Sequence, residues 1–309
     1  MDRRASVLLI TAFLISGCAV LPRGEWPQGI EGIPPRHEMA SVPFYPQDEY
    51  QCGPAALAMA LAWSGLEIKP AELTEKVYTA SLHGSLQPAM IAGCRRSGRL
   101  AYVIHGTDAL MREIAAGHPV IILQNLGLSW VPLWHYAVAV GYDIPADEII
   151  LHSGLNAGER TSMGIFQNTW ARGENWGLLV LKPAELPATA TEADFLQAAI
   201  GLEKAQQPAA AIESYHAALS RWPQNMPAMM GLGNCYYALG DLKSSEAAFR
   251  RAAEAHPGEG AAFNNLAHVL LDLDRREEAL AAARRAVALG GPLRSVFQQT
   301  LEEIEMTSP

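Results

Sequence analysis

The chain has 309 residues, of which 50% are hydrophobic and 18% charged, and carries a formal net charge of −9. That composition excludes wholesale disorder and collagen-like structure, and the length suggests about two domains, each with its own core. An acidic chain without a basic run is a poor fit to nucleic acid, and four cysteines are too few for a disulfide scaffold.

The first element is an address. Arg3 and Arg4 precede an apolar stretch, Val7–Ile15, which ends in Ile15-Ser16-Gly17-Cys18. The stretch is too short to span a bilayer as a mature helix and reads as a cleaved export signal, residues 1–17. The four-residue ending resembles the lipobox of bacterial lipoproteins, which implies that Cys18 becomes the first mature residue and carries lipid. Ala19, where an acidic residue would signal retention in the inner membrane, leans the assignment to the outer membrane. The expected location is therefore the bacterial cell envelope, lipid-anchored and facing the periplasm. Residues 18–40, rich in Pro and Gly, read as a tether that reaches roughly 25 Å as a coil and about 75 Å extended.

Residues 41–186 carry the candidate chemistry. Pro54–Trp63 is an apolar helical run ended by Gly65. Pro70–Tyr78, Pro88–Ser97 and Asp108–Ala116 predict short helices, the last with Thr107 as cap. Strand-length runs follow at Ala101–Ile104, Val120–Leu123, Tyr136–Val140, Ile149–Leu151 and Leu178–Leu181, with a hairpin loop over Gly141–Asp147. Helices first and an antiparallel sheet second predict an α+β domain. Trp130, Trp134, Trp170 and Trp176 could wall a cleft or fill a core.

Cys52 stands where Gly53-Pro54 opens a helix. A helix N-terminus favours an anion and predicts a thiol pKa lowered toward the thiolate. His135 begins a strand, where an imidazole can face that terminus, and Cys–His pairing is the minimum for thiol catalysis. Gln47, then Cys52-Gly53-Pro54 with its helix, then His135-Tyr136 running through apolar residues to Gly141 resembles the C39-like, papain-fold cysteine peptidases. The resemblance implies Cys52 as nucleophile, His135 as general base and acid, and Gln47 as the oxyanion donor beside the Cys52 N–H. Gln51 is the alternative glutamine. The third member departs from the family: its usual Asp is replaced by His152 or Ser153, with Asn156 close by and Asp143 a poorer geometric choice.

The last third repeats at a 34-residue offset: Ala211, Ser245 and Ala279 are equivalent, as are Ala218, Ala252 and Ala286. This resembles the tetratricopeptide repeat, in units 192–225, 226–259 and 260–293 with a capping helix over 294–306. The implied architecture is a papain-like α+β domain followed by an all-α solenoid.

The functional expectation is a membrane-anchored thiol hydrolase that cleaves a peptide bond through a Cys–His acyl-enzyme, with a repeat domain for a protein partner. The alternatives are a non-cleaving peptide-binding lipoprotein and an acyl transferase using the same pair. No cofactor, metal or ATP is expected: the Cys and His spacings match no ligand set, and no phosphate-binding loop motif occurs. Cys94 and Cys235 read as free thiols, and His83, His105 and His118 take no role.

Overall fold

A computed structural model describes Trp26, residues 32–47 and residues 51–306. The expected signal, Cys18 and most of the expected tether lie outside the described residues. In chain order the elements are β1 (Arg36–Glu38), α1 (Cys52–Trp63), α2 (Pro70–Val77), β2 (Tyr78–Thr79), β3 (Gly84–Ser85), α3 (Gln87–Arg96), β4 (Leu100–His105), α4 (Thr107–Ala115), β5 (Val120–Asn125), β6 (Trp134–Asp143), β7 (Glu148–Ser153), β8 (Asn156–Ser162), α5 (Met163–Ala171) and β9 (Trp176–Leu181). Seven helices follow: α6 (Glu192–Lys204), α7 (Pro208–Arg221), α8 (Met226–Ala238), α9 (Leu242–Ala255), α10 (Gly260–Asp272), α11 (Arg276–Leu289) and α12 (Arg294–Met306).

The first part is α+β, as its run of helices followed by strands predicts. Its antiparallel sheet has the order β4-β9-β5-β6-β7-β8, with β1 on β6. α1 is apolar on all sides, so it has no solvent face and takes the centre of the domain; every residue from Gly53 to Leu61 is buried. Pro54 lies in its first turn, where the N–H that proline lacks would be unpaired anyway.

Two local expectations are corrected, and one segment to which the sequence pattern assigns no element gains structure. The segment read as tether up to residue 40 contributes a strand. β5 ends its pairing at Val120–Ala139, leaving the β6 edge beyond it open, and Arg36–Glu38 fills that edge opposite Asp143–Gly141. A buried strand edge would otherwise strand its N–H and C=O groups. Residues 156–171, which lack a clear period, form β8 and α5. α4 starts at Thr107 rather than being capped by it, and Gly106 holds the cap position at φ +85°. Gly141 is required on packing grounds, since a Cβ there would lie 2.6 Å from the His37 carbonyl oxygen.

The helical array packs in antiparallel pairs, and small residues sit where the pairs approach. A Cβ on Gly231 would run into the Tyr215 ring and one on Gly233 into the Phe249 ring. The array is joined to the sheet rather than hung from it. α6 packs on β4, and one continuous hydrophobic core runs from α1 through the sheet into α6–α9. The connection between them is bolted down by Glu113, which is fully buried on α4. Its carboxylate accepts from Ala188 N (3.1 Å), Thr189 N (2.7 Å), Thr189 Oγ1 (2.5 Å) and His118 Nδ1 (2.6 Å). His118 reaches Glu185 through its other nitrogen, at 3.4 Å. His118, which has no role on sequence grounds, is thus a structural cation.

Candidate active site

Cys52, Gln47 and His135 come together on one cleft of about 940 Å³, the place where the sheet opens between β6 and the end of β7. Gln47 wedges into that opening. Its N–H donates to the Gly154 carbonyl at 3.0 Å, its Oε1 accepts from Gly154 N at 3.0 Å, and its Nε2 donates to the Tyr136 carbonyl at 3.2 Å. One amide hydrogen of Nε2 remains for a ligand. Gln51, the alternative, is held by Thr74 Oγ1 at 2.8 Å and does not line the cleft.

Cys52 is the first residue of α1, so its own N–H and that of Gly53 have no carbonyl one turn earlier. The backbone amides of Tyr136, Gly53 and Cys52 itself face the sulfur and favour the thiolate. Burial outweighs them and pushes the Cys52 thiol up rather than down. The helix-terminus expectation of a lowered pKa is therefore corrected: the terminus is present, but it lies in a desolvated corner. Burial also pushes the His135 imidazole down, and the Glu159 carboxylate pulls it only partly back. Both shifts favour the neutral thiol and the neutral imidazole over the ion pair.

Of the candidates for the third position, Ser153 is the one that meets His135. Its hydroxyl lies 3.0 Å from His135 Nε2. This holds the ring and leaves Nδ1, which has no hydrogen bond among the described residues, as the nitrogen available for proton transfer. A hydroxyl can donate or accept, so it fixes the imidazole tautomer less firmly than a carboxylate would. His152 faces elsewhere, toward the Val42 carbonyl (3.1 Å) and Gly158 N (3.1 Å). Asn156 stands opposite Ser153 in the β7–β8 ladder and is exposed. Asp143 closes the far end of β6, paired with Arg36 at 3.0 Å.

Tyr136 was not legible as a site residue, because its contribution is a main-chain N–H on the sulfur, to which no side-chain pattern points. The four tryptophans divide. Trp170 and Trp176 are core, Trp134 is half-exposed on the cleft wall, and Trp130 is 77% exposed at the tip of the β5–β6 hairpin. Asn125 Oδ1 pins this hairpin by accepting from Gly127 N and Leu133 N, at 3.0 and 2.9 Å. Cys94 and Cys235 are buried free thiols, each pushed up to about 12 by burial. Among the described residues no cluster of His, Cys, Asp and Glu could hold a metal ion, and no helix is long and apolar enough to cross a membrane.

Residues 39–176 match the family model described as Peptidase_C39 like. Residues 196–260 and 261–289 match two tetratricopeptide repeat models. The chain carries a C39-like domain followed by tetratricopeptide repeats. Among solved structures, one described as a C39-like peptidase from Bacillus anthracis is 17% identical over 48% of this chain and 98% of that one, with a TM-score of 0.41. The Yersinia enterocolitica type III secretion chaperone SycD, in complex with a peptide of the translocator YopD, is 18% identical over 38% of this chain and 95% of its own, with a TM-score of 0.36. No curated protein matches the chain. Within the C39-like domain the cleft lies at one end of β6, and the tetratricopeptide repeats attach at the other side of the sheet, along β4.

Proposed function

We propose that the protein is a lipid-anchored envelope thiol hydrolase that cleaves peptide bonds through a Cys52 acyl-enzyme, its tetratricopeptide repeats engaging a protein partner. The observation that carries this reading is the convergence on one cleft of Cys52 at a helix N-terminus, His135 held by Ser153, and Gln47 clamped with one amide hydrogen to spare. In the proposed cycle His135 takes the Cys52 proton as the sulfur attacks the scissile carbonyl. The oxyanion forms against Gln47 Nε2 and the Cys52 N–H. The imidazolium then gives its proton to the leaving amine, and water assisted by His135 releases the acyl group.

The test compares envelope peptides from cells carrying the wild type and Cys52→Ala, alongside labelling of membrane fractions with a peptidyl acyloxymethyl ketone. A peptide set that changes between the two strains, and a label that maps to Cys52, support the reading. Identical peptide sets with no label would leave a non-cleaving binding protein. Products carrying an added amine in place of a free carboxylate would shift the assignment to acyl transfer.

The neutral resting pair makes a second, sharper expectation. With the thiol raised, iodoacetamide alkylation of Cys52 in the unliganded protein should accelerate about tenfold per pH unit across neutrality, with no acidic plateau. A plateau extending into mildly acidic pH would reveal a preformed thiolate–imidazolium pair and overturn it. Cys52→Ala supplies the background from the two buried thiols.

A further inference from the structure

The turn that joins α5 to β9 is held in a conformation that its side chains oppose. Glu174 and Asn175 have positive φ angles of +61° and +51°, and neither is a glycine. Left-handed backbone is costly for a side chain as large as glutamate and persists only where the surroundings impose it. Here they do. The N–H groups of Glu174 and Asn175 donate to the Ala171 and Trp170 carbonyls, both at 3.1 Å. The Glu174 carbonyl lies 3.2 Å from His105 Nδ1, and the Asn175 carbonyl accepts from Gly106 N at 3.1 Å. Gly173 lets the turn close on β5, since a Cβ there would run into the Leu123 carbonyl oxygen. The Glu174 side chain is exposed, so the core gains nothing from this arrangement.

The turn forms one end of the Cys52 cleft, whose lining includes Gln47, Tyr136, Leu123 and Glu174. These residues follow the order of the sheet. Gln47 fills the gap on one side of β6, Tyr136 of β6 stands opposite Leu123 of β5, and β9 is the next strand beyond β5. Two strand spacings separate β6 from β9, so Glu174 sits roughly 10 Å from Tyr136, the length of about three extended residues. Among the described residues the Glu174 carboxylate has no hydrogen bond and no ion pair. Arg172, two positions earlier on the same wall, is turned to the hairpin: its Nη1 donates to the Asn125 and Gly127 carbonyls at 3.3 and 2.5 Å. The other titratable side chain along this stretch is His83, on the facing wall.

We propose that Glu174 sets the substrate specificity of the cleft by receiving a lysine or arginine side chain about three residues from the scissile bond. The inference rests on the reading of Cys52 as a peptide-cleaving nucleophile. The substrate crosses the strands, with its reacting carbonyl beside Gln47 and Cys52 and its cation at the start of β9. A carboxylate fixed by its backbone and left without a cation of its own favours one supplied by the substrate. Leu123 and the Tyr136 ring line the path between the two points, and such walls exclude water and strengthen the pairing.

The test incubates a peptide library with the purified protein and identifies the cleaved bonds by mass spectrometry. The library is a bacterial proteome digested with chymotrypsin, which leaves Lys and Arg inside the peptides, and Cys52→Ala supplies the blank. The wild type should cut preferentially where Lys or Arg stands at one fixed position, roughly two to four residues from the bond. Glu174→Gln should lower the ratio of cation-bearing to cation-free cuts about fivefold, the scale of one partly exposed charge pair. Glu174→Lys should move the preference at that position to Asp or Glu, and thermal unfolding checks that both variants are folded. Wild-type cleavage with no basic preference would overturn the proposal, as would a basic preference that survives both substitutions. Failure of the wild type to cut any peptide would overturn the hydrolase reading itself, a result distinct from either.

Discussion

Gln47→Ala is expected to lower kcat by about 10²–10³, the cost of losing one oxyanion donor, whereas Cys52→Ala abolishes turnover. The geometry separates two contributions of Gln47. Its main-chain N–H and side-chain Oε1 both engage Gly154, and its Nε2 engages the Tyr136 carbonyl, so it also braces the gap between β6 and β7. Gln47→Glu keeps the Gly154 bonds and removes the donor. Glutamate preserves the acceptor for Gly154 N but sets a carboxylate oxygen against the Tyr136 carbonyl and against a developing oxyanion. The donor role predicts that both variants lose activity, and the lost bond to Tyr136 predicts a lowered Tm for both. Activity within tenfold of wild type in Gln47→Glu would sink it. The measurement is kcat on a peptide identified by the envelope comparison, with thermal unfolding as the control.

Glu113→Gln is expected to destabilise the protein by about 3–5 kcal/mol, the usual cost of removing one member of a buried, hydrogen-bonded charge pair. In a chain of this size that lowers Tm by roughly 5–8 °C. Glu113 accepts four hydrogen bonds, three of them from the segment that leads into the repeats, so its loss leaves the His118 cation with only the more distant Glu185 and frees that segment. The pH dependence has a definite sign. Hydrogen bonds from His118 and Thr189 overcome burial and hold the Glu113 carboxyl below its ordinary 4.5, so its stabilisation is present above that value and is lost as pH falls through the depressed one. His118 is raised from 6.5 to about 9: burial opposes the charge, but the bonds to Glu113 and Glu185 win. Its contribution is complete below 6.5 and lost as pH rises through about 9. The cluster therefore stabilises most between about pH 5 and 6.5, and the wild-type excess over Glu113→Gln should shrink toward pH 9. Denaturant unfolding at a series of pH values measures this; a loss below 1 kcal/mol at pH 6 would refute it.

How much of this could be read in advance depended on whether the information was local. The centre of the C39-like domain announced itself because α1 has no polar face, which leaves such a helix only the interior. The repeats were legible because each unit restates the same pattern of small residues at a fixed offset, and the reason is visible at Gly231 and Gly233, where aromatic rings from the neighbouring helix occupy the space of a side chain. β8 was illegible because it is an edge strand carrying Gly158, Glu159 and Arg160, whose stability comes from its ladder with β7 and not from its own composition. β1 was hidden for the same reason: three residues become a strand only because β6 has an open edge.

The candidate site divides in the same way. Residue types and order put Cys52 and His135 forward as a pair, the resemblance to the C39-like peptidases added Gln47, and the structure brings the three to one cleft. What the sequence left among His152, Ser153 and Asn156, strand register decided. Side chains alternate between the faces of β7, so Ser153 meets His135 while its neighbour His152 turns to Val42. The direction of the Cys52 shift also belonged to the tertiary structure, since a helix start predicts an easily ionised thiol only where water or enough donors reach it. The hydrogen bond from Trp26 to Asp147 spans 121 positions of chain and the Glu113 cluster spans 76, and neither is marked by any local pattern. The sequence by itself determined which chemical groups the protein has and which segments form α1 and the repeats, because those follow from covalent order and local periodicity. Only the tertiary structure decided which groups meet and how burial shifts their protons, because those depend on contacts between segments far apart in the chain.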